Sequence, residues 1–262
     1  MNTIATLLHK EWLEFKQQRM LMLGIVALPL LLTLMPIGVT FATGQAPPKN
    51  GDDLLAAAQA NPVLAGMSAI ELGQAFVGQT FSSIFLLMPL LLPSIIAAYS
   101  IVGEKTNRTL EPLLATPIKT WELLTGKILA ALIPTVAISW LFGAIFVGGM
   151  AAVSVSQRVF AAIVSPGWLT VFLLCAPLLA LIAIAAMVAI SARVNDPRTA
   201  QQFSAWVVVP FLAIFFSQLT GVLVLSPLIA LVAAIMLAVI AGLAVWAVTA
   251  LFQREMILTK WT

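Results

Sequence analysis

Acidic and basic side chains alternate with leucines over one short stretch, 104–127, which reads EKTNRTLEPLLATPIKTWELLTGK. Glu104, Lys105, Arg108, Glu111, Lys119, Glu122 and Lys127 carry its charge, and Leu113, Leu114 and Ile118 form an apolar tip. Asn107 or Thr109 suits the cap of a turn holding Leu110 and Glu111, and Thr116–Pro117 ends it. Thr120 is placed to start a second helix, with Glu122 in the first turn, where the helix dipole favours an acid. The chemistry on offer is docking, because an apolar patch rimmed by charge suits another protein. An ordinary positively charged loop would explain the bases but neither the three glutamates nor the leucines.

Bond-making chemistry is poorly supplied. The chain holds one histidine, His9, and one cysteine, Cys175. A His-Glu-x-x-His zinc site needs two histidines, and a Ser–His pair would need His9 to reach deep into the molecule. No G-x-x-x-x-G-K-[ST] phosphate loop occurs, so ATP is not hydrolysed here by that route. The sequence assigns no catalytic residue, no metal ligand and no bound cofactor. A net charge of +3, spread over short loops, is no nucleic-acid surface. Asp52, Asp53 and Glu71 read as solvated loop residues, since nothing in the sequence brings them together.

The elements that position the charged stretch follow from composition. The 262 residues are 61% hydrophobic and 9% charged, against roughly 25% charged in soluble domains. Such a chain cannot cover a globule with polar surface. Six runs, 20–42, 76–102, 128–150, 167–192, 203–225 and 227–252, hold no Asp, Glu, Lys, Arg or His. Each exceeds the roughly 20 apolar residues that span a bilayer as a helix. In lipid each must satisfy its own backbone, which predicts an all-helical polytopic membrane protein with one transmembrane domain over 1–262. The first run follows a long charged lead-in and reads as an uncleaved span rather than a signal peptide. The charged segment, 103–127, would lie on one side and a loop, 44–75, on the other, with a short helix across 54–60.

Six spans put both termini on the same side, together with eleven of the thirteen Lys and Arg; the other side keeps Lys49 and Arg158. This asymmetry predicts cytoplasmic termini and a cytoplasmic 103–127 segment. Before the first span, Leu7, Leu8, Trp12 and Phe15 recur at helical spacing, while Lys10, Glu14 and Gln17 fall mostly elsewhere. That predicts an amphipathic helix in the cytoplasmic interface; a topogenic tail is the alternative. Within the last run Ala230, Ala234, Ala238 and Gly242 place a small residue every four positions, as in a close-packing face. In an alanine-rich chain chance produces the same pattern.

The stretch from Glu104 to Lys127 resembles the loop between spans two and three of ATP-binding-cassette permeases of the type-2 export family. That loop runs E-[KR]-x-x-x-T-L-E-x-L-L-x-[ST]-P, then an acidic residue, then G-K. Glu104, Lys105, Thr109, Leu110, Glu111, Leu113, Leu114, Thr116, Pro117, Glu122, Gly126 and Lys127 match; Arg108 stands where many relatives have glycine. The segment KEWLEFKQQR, with Lys10, Glu11, Trp12, Phe15 and Arg19, resembles the family's opening interfacial helix.

The resemblance implies a permease subunit that dimerises with a second copy or a sister chain. It would be driven by two copies of a separate cytoplasmic ATPase, which uses ATP and Mg. The 103–127 hairpin would hold the coupling helix, and Glu104 and Glu111 would pair with basic groups of the interfacial helix or of nearby helices. The pathway would be lined by spans two and five: Phe76, Gln79, Ser82, Ser83, Phe211, Phe215 and Gln218. This uncharged, Phe-rich wall suits an amphipathic or apolar exported substrate. Sodium fits less well, because sodium-efflux relatives often carry a large external domain. Two other classes stay open on sequence grounds: a membrane assembly factor, and an ATP-independent carrier or channel.

Overall fold

The computed structural model describes residues 3–17, 19–46, 64, 66–93, 95–96, 120–193, 202 and 226–251, and every regular element among them is helical. Helix α1 is Thr3–Gln17 and α2 is Arg19–Thr43. Helix α3 is Ala69–Phe85, followed by a helical stretch at 88–93, and α4 is Thr120–Val153. Two short helices, α5 (Gln157–Ile163) and α6 (Pro166–Thr170), lead through a π-helical turn, Val171–Cys175, into α7 (Ala176–Arg193). Helix α8 is Pro227–Leu251.

Two helices turn large apolar side chains outward, unlike the helices of a water-soluble bundle. On α2 the buried stripe is Ile25, Pro29, Thr33, Pro36 and Thr40, while Leu23, Val26, Leu30, Leu31, Leu34 and Met35 face outward. Helix α8 does the same with Leu231, Ile235, Met236, Val239 and Leu243 outward. Large apolar side chains on the outside and small or hydroxylated ones inside suit a lipid solvent. Two of the buried hydroxyls are satisfied locally: Thr33 Oγ1 donates to the Pro29 carbonyl and Thr135 Oγ1 to that of Ala131, both at 2.7 Å.

Five helical segments are long and apolar enough to cross a membrane: Met22–Thr43, Ala69–Pro93, Trp121–Val153, Gln157–Ile190 and Pro227–Ala250. They correspond to five of the six expected runs. The run 203–225 lies outside the described residues, as does the helix expected across 54–60. The second segment starts at Ala69 rather than 76, because Ser68 and Glu71 form a capping box. Ser68 Oγ accepts from the Glu71 amide, and Glu71 Oε2 accepts from the Ser68 amide at 2.8 Å. Residues 69–75 are therefore helical rather than loop. The fourth segment starts early too, with α5 capped by Ser156 and α6 by Ser165 ahead of Pro166.

The packing face of α8 departs from the four-residue pattern. Ala230, Ala234, Ala241 and Val248 are buried, whereas Ala238 and Gly242 are exposed. The reason is helical pitch: at 3.6 residues per turn, a strict four-residue step drifts about 40° each time. Gly242 has thus turned roughly 120° from Ala230, while Ala241 and Val248 return to within about 20° of it.

Two larger buried clusters lie toward opposite ends of the bundle. The α1-side core contains Ile25, Ile96, Leu124, Ile128, Ile184 and Val248. The distal core is built on Phe85, Met88, Phe146, Val159, Trp168 and Phe172.

Candidate functional site

The charged stretch enters the described structure at its second helix. As the sequence predicts, α4 begins at Thr120 with Glu122 in its first turn and continues unbroken into the third span. Helix α1 lies across this start. Leu7 and Glu11, one turn apart, face α4, while Trp12 and Leu13 point away. The apolar set expected on one face is therefore split, since Trp12 is about 140° from Leu7 around the helix. What α1 presents to the bundle is an acid beside a leucine.

Gly126 and Lys127 receive that face. A Cβ on Gly126 would stand 3.1 Å from Leu7 Cδ1, so the hydrogen of glycine gives Leu7 its seat. Lys127 Nζ donates to Glu11 Oε1 at 3.1 Å, and both side chains are only 3% exposed. Lys10 stands 4.0 Å from the same oxygen and is partly exposed. A buried pair of this kind adds little net stability, but removing one partner strands a charge. The Gly-Lys dipeptide thus does two jobs at one point, steric seat and ionic lock. Phe15 and Arg19 belong to α1 and α2 respectively. Glu104, Lys105, Arg108, Glu111, Leu113, Leu114, Thr116 and Pro117 lie outside the described residues.

Of the expected pathway residues, Phe76, Gln79, Ser82 and Ser83 share α3. Phe76 is exposed, Ser82 is buried, and Gln79 and Ser83 are partly so. Their polar groups are engaged. Gln79 Nε2 donates to the Ala162 carbonyl at 3.1 Å, and the Ser82 and Ser83 hydroxyls donate to the Gln79 carbonyl at 2.8 and 3.0 Å. Phe211, Phe215 and Gln218 lie outside the described residues.

Sequence reasoning missed Gln74, which is fully buried. Its Nε2 donates to the carbonyls of Thr40 and Val153, both at 2.9 Å, and its Oε1 accepts from the Val155 amide at 2.8 Å. One side chain thereby ties together the distal ends of α2, α3 and α4. Gly44 abuts it: a Cβ there would stand 2.7 Å from Gln74 Nε2. The Ser68-x-x-Glu71 capping box was the available signal. It moves the helix start forward and makes Gln74 an intramembrane polar residue, which must find partners.

The family model for ABC-2 family transporter proteins matches residues 5–259. The chain belongs to the ABC-2 transporter family. No curated protein matches it. As an ABC-2 permease it is a multi-pass membrane protein and a component of a transporter. The α1–α4 junction then acquires a context, because in this permease α4 is the helix into which the Glu104–Lys127 stretch directly runs.

Proposed function

We propose that this ABC-2 permease is the membrane subunit of an ATP-driven exporter, with both termini and the 103–127 hairpin in the cytoplasm. It works as a dimer, with a second copy or a sister chain, on two copies of a cytoplasmic ATPase that supplies ATP and Mg chemistry. Leu113, Leu114, Thr116 and Pro117 form the docked turn. Glu104 and Glu111 hold the hairpin to neighbouring cytoplasmic helices. The exported substrate is amphipathic or apolar, on the strength of Phe76 and the uncharged residues beside it.

The observation that supports this reading best is the buried Glu11–Lys127 pair. Lys127 closes the family-like stretch and is locked to α1, so a push on the hairpin is passed to α1 and α4 together instead of being lost in a pliable loop. A permease needs such stiffness to convert motion of an engine into motion of spans, and an anchor does not.

Co-expression with a P-loop ATPase that lacks membrane spans, sought in the adjacent reading frames, tests the reading. Replacing Leu113 and Leu114 by Asp should abolish co-purification. Glu111→Ala should lower substrate-stimulated ATPase activity well below that of Glu255→Ala. Retained co-purification, or equal small effects of the two alanines, would remove the coupling role.

A further inference from the structure

Two helix irregularities meet in the distal core. Helix α3 stops at Phe85 and turns through Leu86 and Leu87 before helix resumes at 88–93. The Leu86 amide donates to the Ser83 carbonyl at 3.2 Å, three residues back, and the Leu87 amide to that of Ile84 at 2.9 Å. The carbonyl of Ser82, which a straight α-helix would give to Leu86, is released. Trp168 takes it: the indole Nε1 donates to Ser82 O at 2.9 Å, in a buried contact. Pro89, having no N–H, keeps the next turn from re-forming in full.

Trp168 itself stands three residues ahead of the π turn, where the Ala176 amide reaches back five residues to the Val171 carbonyl. Trp168 and Phe172 stack at 5.2 Å with their planes 6° apart, and Phe85 lies 5.6 Å from Phe172. The break in α3 and the π turn are therefore one packed unit. Single π turns inside α-helices often mark functional positions.

We infer that Ser82, Leu86 and Trp168 form a donor-exchange hinge. Two donors, the Leu86 amide and the Trp168 indole, compete for one carbonyl. In the state described here the indole holds it and the helix is interrupted at Leu86–Leu87. In the alternative state the Leu86 amide takes it, the turn at 82–86 becomes α-helical while Pro89 keeps the turn after it open, and the indole gives up this acceptor. Each state leaves the Ser82 carbonyl satisfied, as a membrane interior demands; the alternative state leaves the buried indole without this acceptor and is therefore the minor one. The swinging part is the described chain after the break, 88–93 and 95–96. Its Leu90 packs on Leu179 and Ala183, its Ile96 sits in the α1-side core, and it leads in sequence to the 103–127 segment. The distal side stays fixed, because Gln74 and Gln79 hold α3 to α2, α4 and α5. The hinge stands on this geometry alone and does not require the ATPase partnership.

The test is amide exchange and NMR on the full chain in lipid nanodiscs, without nucleotide or partner. Trp168→Phe keeps the ring and removes the indole donor. It should slow exchange of the Leu86 amide about five- to tenfold, as that amide gains the Ser82 carbonyl. Unchanged or faster exchange at Leu86 would overturn the hinge. The wild-type chain supplies a second measurement that does not depend on the variant folding. Relaxation dispersion on the microsecond-to-millisecond scale should report one common exchange rate for the Leu86 amide and the Trp168 indole. Different rates, or no exchange at either proton, would equally overturn it.

Discussion

The two ends of the bundle are held in different ways. At the distal end, neutral side chains reach backbone groups of other segments: Gln74 to Thr40, Val153 and Val155, and Gln79 to Ala162. At the α1 end, aliphatic packing surrounds a buried charge pair, Glu11–Lys127. Side chain-to-backbone bonds fix helices at definite heights and rotations, since every donor has a fixed address. An ion pair between two long side chains is directional only at its tip, so its helices can shift together while the charges stay in contact. The contrast teaches that one end is built to hold shape and the other to stay joined while it moves.

The largest effect expected from breaking this contrast is at the ion pair. Lys127→Ala should destabilise the purified protein by about 3–5 kcal/mol, because Glu11 is left buried and charged. The double variant Glu11→Gln with Lys127→Met should recover most of that loss in thermal unfolding in detergent. Additive losses would mean the two residues act separately.

Next comes Gln74→Leu, expected at roughly 2–4 kcal/mol, since more than one buried backbone group loses its partner. Its loosening should be confined to the distal end and leave protease protection of α1 intact. General loosening would erase the distinction between the ends.

The smallest effects sharpen the reading of α8. Ala241→Leu, on the buried face, should cost about 1–3 kcal/mol by overpacking. Ala238→Leu, exposed, should stay within about 0.5 kcal/mol of wild type. A reversal in unfolding midpoints would restore the four-residue face.

How much of this was legible beforehand follows from what each feature depends on. Five apolar helices were readable because a span requires only length and absence of charge, both visible in residues such as 128–150. The start of α4 at Thr120 was readable because a cap and an acidic first turn are local chemistry. The partner of Lys127 was not: among eleven bases on one predicted side, nothing local marks the one that will be buried, and its acid lies 116 residues away. The break at Leu86 was equally hidden, because prolines are common in membrane helices and the deciding donor, Trp168, comes from another helix. The α8 face was misjudged for a geometric reason alone, a spacing of four set against a pitch of 3.6. Gln74 was lost through a boundary error of seven residues, which the capping box would have corrected.

That separation of 116 residues between Glu11 and Lys127 also sets a timetable for biogenesis. At about 5–20 residues per second of synthesis, the acid emerges on the order of ten seconds before its base exists. Throughout that interval the opening helix carries its carboxylate with the partly exposed Lys10 beside it but without its buried partner. It must wait in water or among headgroups while the first two spans thread into the bilayer. Closure of this end of the permease is therefore a late event, conditional on the third span having arrived the right way round.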